Sequence, residues 1–172
     1  MKSQDLERIL IQKEITHIIC VQSSVIISPL SLSFVRENAY NLHLAPLPQY
    51  MGWHSASHAI LNQDTVFGTT IHRMVEAVDE GPIVLRNFFE LHKDFDVGRL
   101  YRESEKAGVS LFRNFLELLK TGNFSAVEQK GLQRFYRKDS LSSRLECEQI
   151  PESLWRLATQ FEYFKTDLLK LG

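Results

Sequence analysis

Apolar residues recur along this chain with two periods, and the switches between them predict its elements. Residues 4–13 place Leu6, Ile9 and Leu10 on one helical face. Residues 15–21, Ile-Thr-His-Ile-Ile-Cys-Val, are nearly all apolar and rich in β-branched side chains, which predicts a central strand buried on both faces. Ser28-Pro29 interrupts the pattern, and residues 30–37 predict a short helix with Ser28 as its cap. A strand over 40–44 runs into a proline-rich loop that closes at Gly52. A helix over 55–61 and a strand over 69–74 follow, then a turn at Asp79-Glu-Gly-Pro82 and a strand over 83–91. Residues 97–119 form the longest helical stretch, with Leu100, Val109, Leu111, Phe112, Phe115, Leu116 and Leu119 as its buried stripe. Thr121-Gly122-Asn123 ends it. Beyond lie a short strand over 132–136 and a helix over 151–164 opened by a proline. The alternation predicts an α/β fold with a mixed sheet: a core over residues 1–125 and a small strand–helix extension over 126–172.

Composition narrows this picture. A length of 172 residues gives room for one domain and its own core, and 44% hydrophobic with 24% charged residues is ordinary for a globular chain. A net charge of -1 supplies no bulk electrostatic footprint for nucleic acid, so none is expected as a partner. Cys20 and Cys147 are too few for a disulfide framework. The N-terminus is polar rather than leader-like, and no apolar run approaches the ~20 residues of a membrane helix. No membrane partner and a cytoplasmic location are expected.

Candidate chemistry starts at the second strand. Asn41 and His43 are two apart, so they project from one face near the strand's C-terminal end, where open α/β sheets place ligands. An amide can donate to a carbonyl oxygen, and an imidazole can move a proton near neutral pH. Local backbone satisfaction is the competing reading. Asp79 sits before Gly81 and Pro82, whose turn would fix the direction of its carboxylate; a structural turn acid is the alternative. His54 and His58 share one helical face, but the ligand set of a zinc site is missing, so no metal is expected. His17 lies in the predicted buried strand and reads as a hydrogen-bonded core residue. Arg134, Arg137 and Lys138 flank Phe135 and Tyr136, a cluster that fits either an anionic ligand or a solvated strand edge.

Together these segments resemble folate-dependent formyltransferases. Asn41-Leu-His43-Leu-Ala-Pro-Leu-Pro48-Gln-Tyr50-Met-Gly52 is similar to that family's Asn-x-His-Pro-Ser-Leu-Leu-Pro-x-Tyr-x-Gly segment. Ala59-Ile-Leu-Asn-Gln-Asp64, Gly68-Thr-Thr-Ile-His72 and Val78-Asp79-Glu-Gly-Pro-Ile83 follow in the family's order. Trp53 after Gly52, and the tail Phe135-Tyr136-Arg137-Lys138-Asp139, resemble the sugar-nucleotide N-formyltransferase branch. The resemblance implies a Rossmann-like formyltransferase fold lacking its N-terminal strands and helices. The sheet edge this would expose implies a homodimer or a missing N-terminal partner segment as its cover.

The resemblance also implies roles. N10-formyltetrahydrofolate would be the co-substrate, with no metal, and a small-molecule amine, most readily that of a nucleotide-linked sugar, the acceptor. Asn41 would donate to the formyl oxygen as it becomes an oxyanion, a contribution of ~3 kcal/mol in comparable sites. His43 would share that load and handle protons, and Asp79 would set the state of His43. Gln22, Ser23, Ser24, Val25, Ile26, Ile27 and Val78 would line the folate pocket, and Tyr50, Trp53 and His72 would meet the acceptor. The competing readings are a degenerate binding protein without activity, a formyltetrahydrofolate hydrolase, and an enzyme of the methionyl-tRNA or glycinamide ribonucleotide type.

Overall fold

The computed structural model describes residues 3–23, 25–147 and 149–159. Its elements run α1 (Ser3–Gln12), β1 (Ile18–Val21), α2 (Pro29–Val35), β2 (Ala39–His43), β3 (Met51–Gly52), α3 (Ser55–Leu61), β4 (Val66–Arg73), β5 (Ile83–Glu90), α4 (Val97–Thr121), β6 (Phe135–Tyr136), α5 (Ser140–Cys147) and α6 (Glu152–Thr159). The main sheet has four strands in the order β1-β2-β4-β5. β1 and β2 are parallel, whereas β4 is antiparallel to both of its neighbours, so the sheet is mixed as expected.

Period two divides the duties of β2. Tyr40 and Leu42 are buried on one face with Ile71 of β4, against Leu111 and Phe115 of α4. Burying each such side chain is worth ~1.5–3 kcal/mol, so this seam fixes α4 across the sheet. Asn41 and His43 alternate with them and face the other way. α4 itself starts at Asp96, whose carboxylate accepts from Arg99 N–H at 2.6 Å, and ends at Gly122 in the left-handed region. A second core joins α3 to the extension through Ala59, Ile60, Leu141 and Ala158. A third packs Leu10 of α1 against Val35 and Ala39.

Several expectations need correction. β1 is not a central strand buried on both faces: it is an edge strand, with Ile19 36% and Val21 54% exposed. Its apolar run reads as burial, but no described strand lies outside it. His17 precedes this strand and is exposed, with Nδ1 2.9 Å from Thr16 Oγ1, so it is not a core residue. Val109, assigned to the buried stripe of α4, is 54% exposed because that stripe is narrower than the sequence suggests. The strand expected over 132–136 shrinks to Phe135–Tyr136, and α5 was not foreseen. The helix expected over 151–164 is present as Glu152–Thr159, and its remainder lies outside the described residues, as does Ser24.

β6 adds a pairing that no local pattern predicts. It runs parallel to β3, with Met51 opposite Phe135 and Gly52 opposite Tyr136. Met51 N–H donates to Arg134 O at 3.0 Å, and Trp53 N–H to Tyr136 O at 2.9 Å. Gly52 has φ +86, and a Cβ there would stand 2.3 Å from Tyr136 O, so this approach requires glycine. The cluster around Phe135 and Tyr136 is therefore built into a second, two-stranded sheet.

Candidate active site

The antiparallel register of β2 and β4 sets Asn41 opposite His72. Directly paired residues share a face, so the amide and the imidazole meet, with Asn41 Nδ2 3.2 Å from His72 Nε2. His72 Nδ1–H donates to Arg73 O at 2.8 Å, which leaves Nε2 to accept from the Asn41 amide. His43 is opposite Thr70, whose hydroxyl accepts from Leu47 N–H at 3.1 Å and donates to Ala45 O at 2.9 Å. That pair of bonds pins the proline-rich loop beneath the site.

Asp79 arrives from the loop between β4 and β5. Its backbone is in the left-handed region, φ 60. Non-glycine residues seldom adopt it, and such strain costs on the order of 1 kcal/mol. Gly81 allows the loop to fold back: a Cβ there would lie 1.9 Å from Arg73 O. The carboxylate then reaches three groups besides the Asn41 amide. Gly52 N–H donates to Oδ2 at 2.9 Å, His72 Nε2 lies 3.4 Å from Oδ1, and His43 Nδ1 lies 3.7 Å from Oδ2.

The electrostatics follow from this packing. Burial pushes the Asp79 carboxyl up, but the charge of His43, the neighbouring His72 and the Gly52 amide outweigh it and hold it down at about 2. His43 is lowered from its ordinary value: burial dominates, and the opposing pull of Asp79 and of the Tyr50 carbonyl does not cancel it. At neutral pH the pair is thus a carboxylate beside a neutral imidazole. His43 Nε2–H donates to Tyr50 O at 2.6 Å, so the lone pair is on Nδ1, facing Asp79. The Asn41 Oδ1 atom is buried and has no partner among the described residues.

These side chains line a cleft of about 320 Å3, at the small end of the range for ligand sites. Asn41, His43, His72 and Asp79 share it with Gln22, Ser23, Val25, Ile26, Ile27 and Val78, and with Trp53 at its rim. Trp53 is 42% exposed and carries Lys138 Nζ 5.7 Å from its ring centroid. Tyr50 is not at the cleft. Its ring is 2% exposed, its hydroxyl donates to Asp64 and accepts from Asn62 Nδ2–H at 2.7 Å, and it stacks on Tyr136 with centroids 5.6 Å apart. What Tyr50 offers the site is its carbonyl. His58 is likewise internal: it is 1% exposed, stacked on Tyr136 at 3.9 Å, and its Nε2 lies 3.0 Å from Ser140 Oγ. Among the described residues, no group of three or more His, Cys, Asp or Glu is arranged to hold a metal, and no helix is long and apolar enough to cross a membrane.

One contributor escaped the sequence reading. Gln129, beyond α4, donates from Nε2 to Asp79 O at 2.6 Å and to Gly81 O at 2.8 Å. No motif surrounds it, so only long-range geometry brings it forward.

Fold and cleft together define an α/β protein with a polar site where β2 ends beside the Asp79 loop. The profile of the formyl transferase family matches residues 2–116, and the chain belongs to that family. Over 77 residues it is 39% identical to the methionyl-tRNA formyltransferase of Fervidobacterium nodosum, which spans 45% of this chain and 25% of that protein. A 4-N formyltransferase from Francisella tularensis superimposes with a TM-score of 0.78 at 18% identity, over 92% of this chain and 64% of that one. The formyltransferase PseJ from Anoxybacillus kamchatkensis, solved with UDP-4,6-dideoxy-4-formamido-L-AltNAc and tetrahydrofolate, does so at 0.72 and 20% identity, over 81% and 73%. These likenesses bear out the Rossmann-like α/β expectation.

Proposed function

We propose that this chain transfers a formyl group from N10-formyltetrahydrofolate to an amine, with a nucleotide-linked amino sugar as the acceptor. The observation that carries this reading is the convergence of Asn41, His43, His72 and Asp79 on one cleft. The pterin end of the donor would lie along Gln22, Ser23, Val25 to Ile27 and Val78, mostly against backbone and apolar side chains.

In this reading the acceptor's nitrogen lone pair forms a bond to the formyl carbon, and the carbonyl oxygen becomes an oxyanion. The Asn41 amide has two hydrogens. One goes to His72, and the other points to Asp79 Oδ1 at 3.5 Å, too long for a good hydrogen bond. That weaker contact is given up at least cost when the formyl oxygen arrives. His43 Nδ1 takes the amine proton, and Asp79 stabilises the imidazolium that results. Collapse of the oxyanion breaks the bond to N10, and the proton returns to that nitrogen.

The nucleotide-sugar acceptor is favoured by Trp53 at the rim, by the tail that pairs with β3, and by the ligands of the PseJ structure. A methionyl-tRNA acceptor is the second reading, favoured by the 39% identity to a methionyl-tRNA formyltransferase. The test is a fluorescence titration with a stable N10-formyl-tetrahydrofolate analogue, repeated with Asn41→Ala and Asp79→Ala. Saturable binding weakened by either change supports the site. Product analysis with amino-sugar nucleotides, with methionyl-tRNA and with water alone then separates transfer to each acceptor from hydrolysis. A folded protein that binds no folate sinks the reading.

A further inference from the structure

Asp79 is gripped at both ends, and only one grip comes from the segments whose motifs carry the formyl-transfer reading. Gly52 N–H holds the carboxylate. The main chain is held from behind by Gln129, whose amide nitrogen reaches the carbonyls of Asp79 and Gly81. Both carbonyls can only accept, so the amide must present its nitrogen to them. An antiparallel bridge anchors Gln129 two residues earlier, where Ile83 N–H donates to Val127 O and Val127 N–H to Ile83 O, both at 2.8 Å.

Two features set this contact apart from an ordinary surface staple. The Gln129 Oε1 atom is buried and has no partner among the described residues, an arrangement that costs stability rather than adding to it. The backbone it fastens is the strained, left-handed turn at Asp79, and such strain persists only where the surroundings over-determine it. Stability is spent at both positions to hold one carboxylate within 3.7 Å of His43 Nδ1.

We propose that Gln129 is a positioning residue for the reaction: it fixes the backbone of Asp79 so that the carboxylate lines up with His43 and Gly52. This rests on the formyl-transfer reading of the site. Gln129 does not line the cleft and acts only through the loop. The extension past α4 thereby contributes to the chemistry and does more than cover α3.

The experiment measures conversion of N10-formyltetrahydrofolate to tetrahydrofolate with hydroxylamine as the accepting nucleophile, beside binding of the same folate analogue by fluorescence. Gln129→Ala and the near-isosteric Gln129→Met should lower kcat by about 10–100-fold, the scale expected for misplacing a group by about 1 Å. Folate affinity should change by less than about 2-fold, because no binding group is removed. Lys130→Ala, exposed and next in sequence, should behave as wild type. Gln129→Glu supplies a readout that a packing role would not move. Its carboxylate repels the two carbonyls, but once protonated it donates to one of them, so its rate relative to wild type should rise as pH falls. Wild-type rates in Gln129→Ala or Gln129→Met, or a flat Gln129→Glu ratio, overturn the proposal and leave formyl transfer standing. A wild-type protein that neither binds nor deformylates the donor overturns the transfer reading, and this inference with it.

Discussion

The two faces of β2 and β4 are made by alternate residues of the same strands, yet they are built on opposite terms. On the α4 face, Tyr40, Leu42 and Ile71 meet Leu111 and Phe115, and every one of these is at most 5% exposed. On the cleft face, Asn41, His43 and His72 bring amide and imidazole groups together with Asp79, leaving Asn41 Oδ1 buried without a described partner. The first face lowers the free energy of the fold, and the second spends some of it. Period two is what lets a five-residue strand do both. Substitutions on the two faces should therefore separate stability from activity.

The largest effect belongs to the packing face. Phe115→Ala empties a fully buried site and should destabilise the fold by about 3–5 kcal/mol, read from urea unfolding. On the cleft face, Asn41→Ala should leave the unfolding midpoint nearly unchanged and lower the deformylation kcat by about 100–1,000-fold. An Asn41→Ala protein that loses stability but keeps its rate would erase the contrast.

Acid separates the faces in a different way. His58, buried at the joint with the extension, is held at about 4, below the ordinary 6.5, by burial and then by the charges of Arg144 and His54. Its folded pKa is depressed, so the unfolded chain takes up the proton first. Its contribution is complete above 6.5 and is lost as pH falls from there through about 4. That gap corresponds to ~3 kcal/mol, and His58→Gln should flatten the pH dependence of unfolding across it. Asp79 works in a lower window, lost only as pH falls from 3.8 through about 2. His43 is also lowered, so the activity that needs its neutral form should persist somewhat below pH 6.5 before failing. An acid limb above that value would contradict the burial argument. The smallest effect is expected far from both faces: the exposed Lys120–Glu117 pair should contribute at most about 0.5 kcal/mol, measured as the loss in Lys120→Ala.

How much of this could be read from the sequence depended on distance along the chain. Asn41 and His43 were legible because two residues on one strand share a face. The turn at Asp79 was legible from Gly81 and Pro82. The pairing of Asn41 with His72 was not, because the register between β2 and β4 is set by contacts 31 residues apart. Tyr50 misled for a related reason: it stands inside the recognised segment, but the ring is turned into the core by Asp64, Asn62 and Tyr136. β1 misled because its apolarity matches that of a central strand, although it borders the described sheet. Gln129 carries no local signal at all, since its role exists only once the tail has returned to the Asp79 loop.

The most direct measurement is the steady-state deformylation of N10-formyltetrahydrofolate, with hydroxylamine as the accepting nucleophile, by wild type and by Asp79→Asn. The substitution preserves shape and removes the charge beside His43 Nδ1. If the four side chains form a formyl-transfer site, kcat should fall by at least about 100-fold. An Asp79→Asn protein that turns over at the wild-type rate, or a folded wild type without turnover, would contradict it.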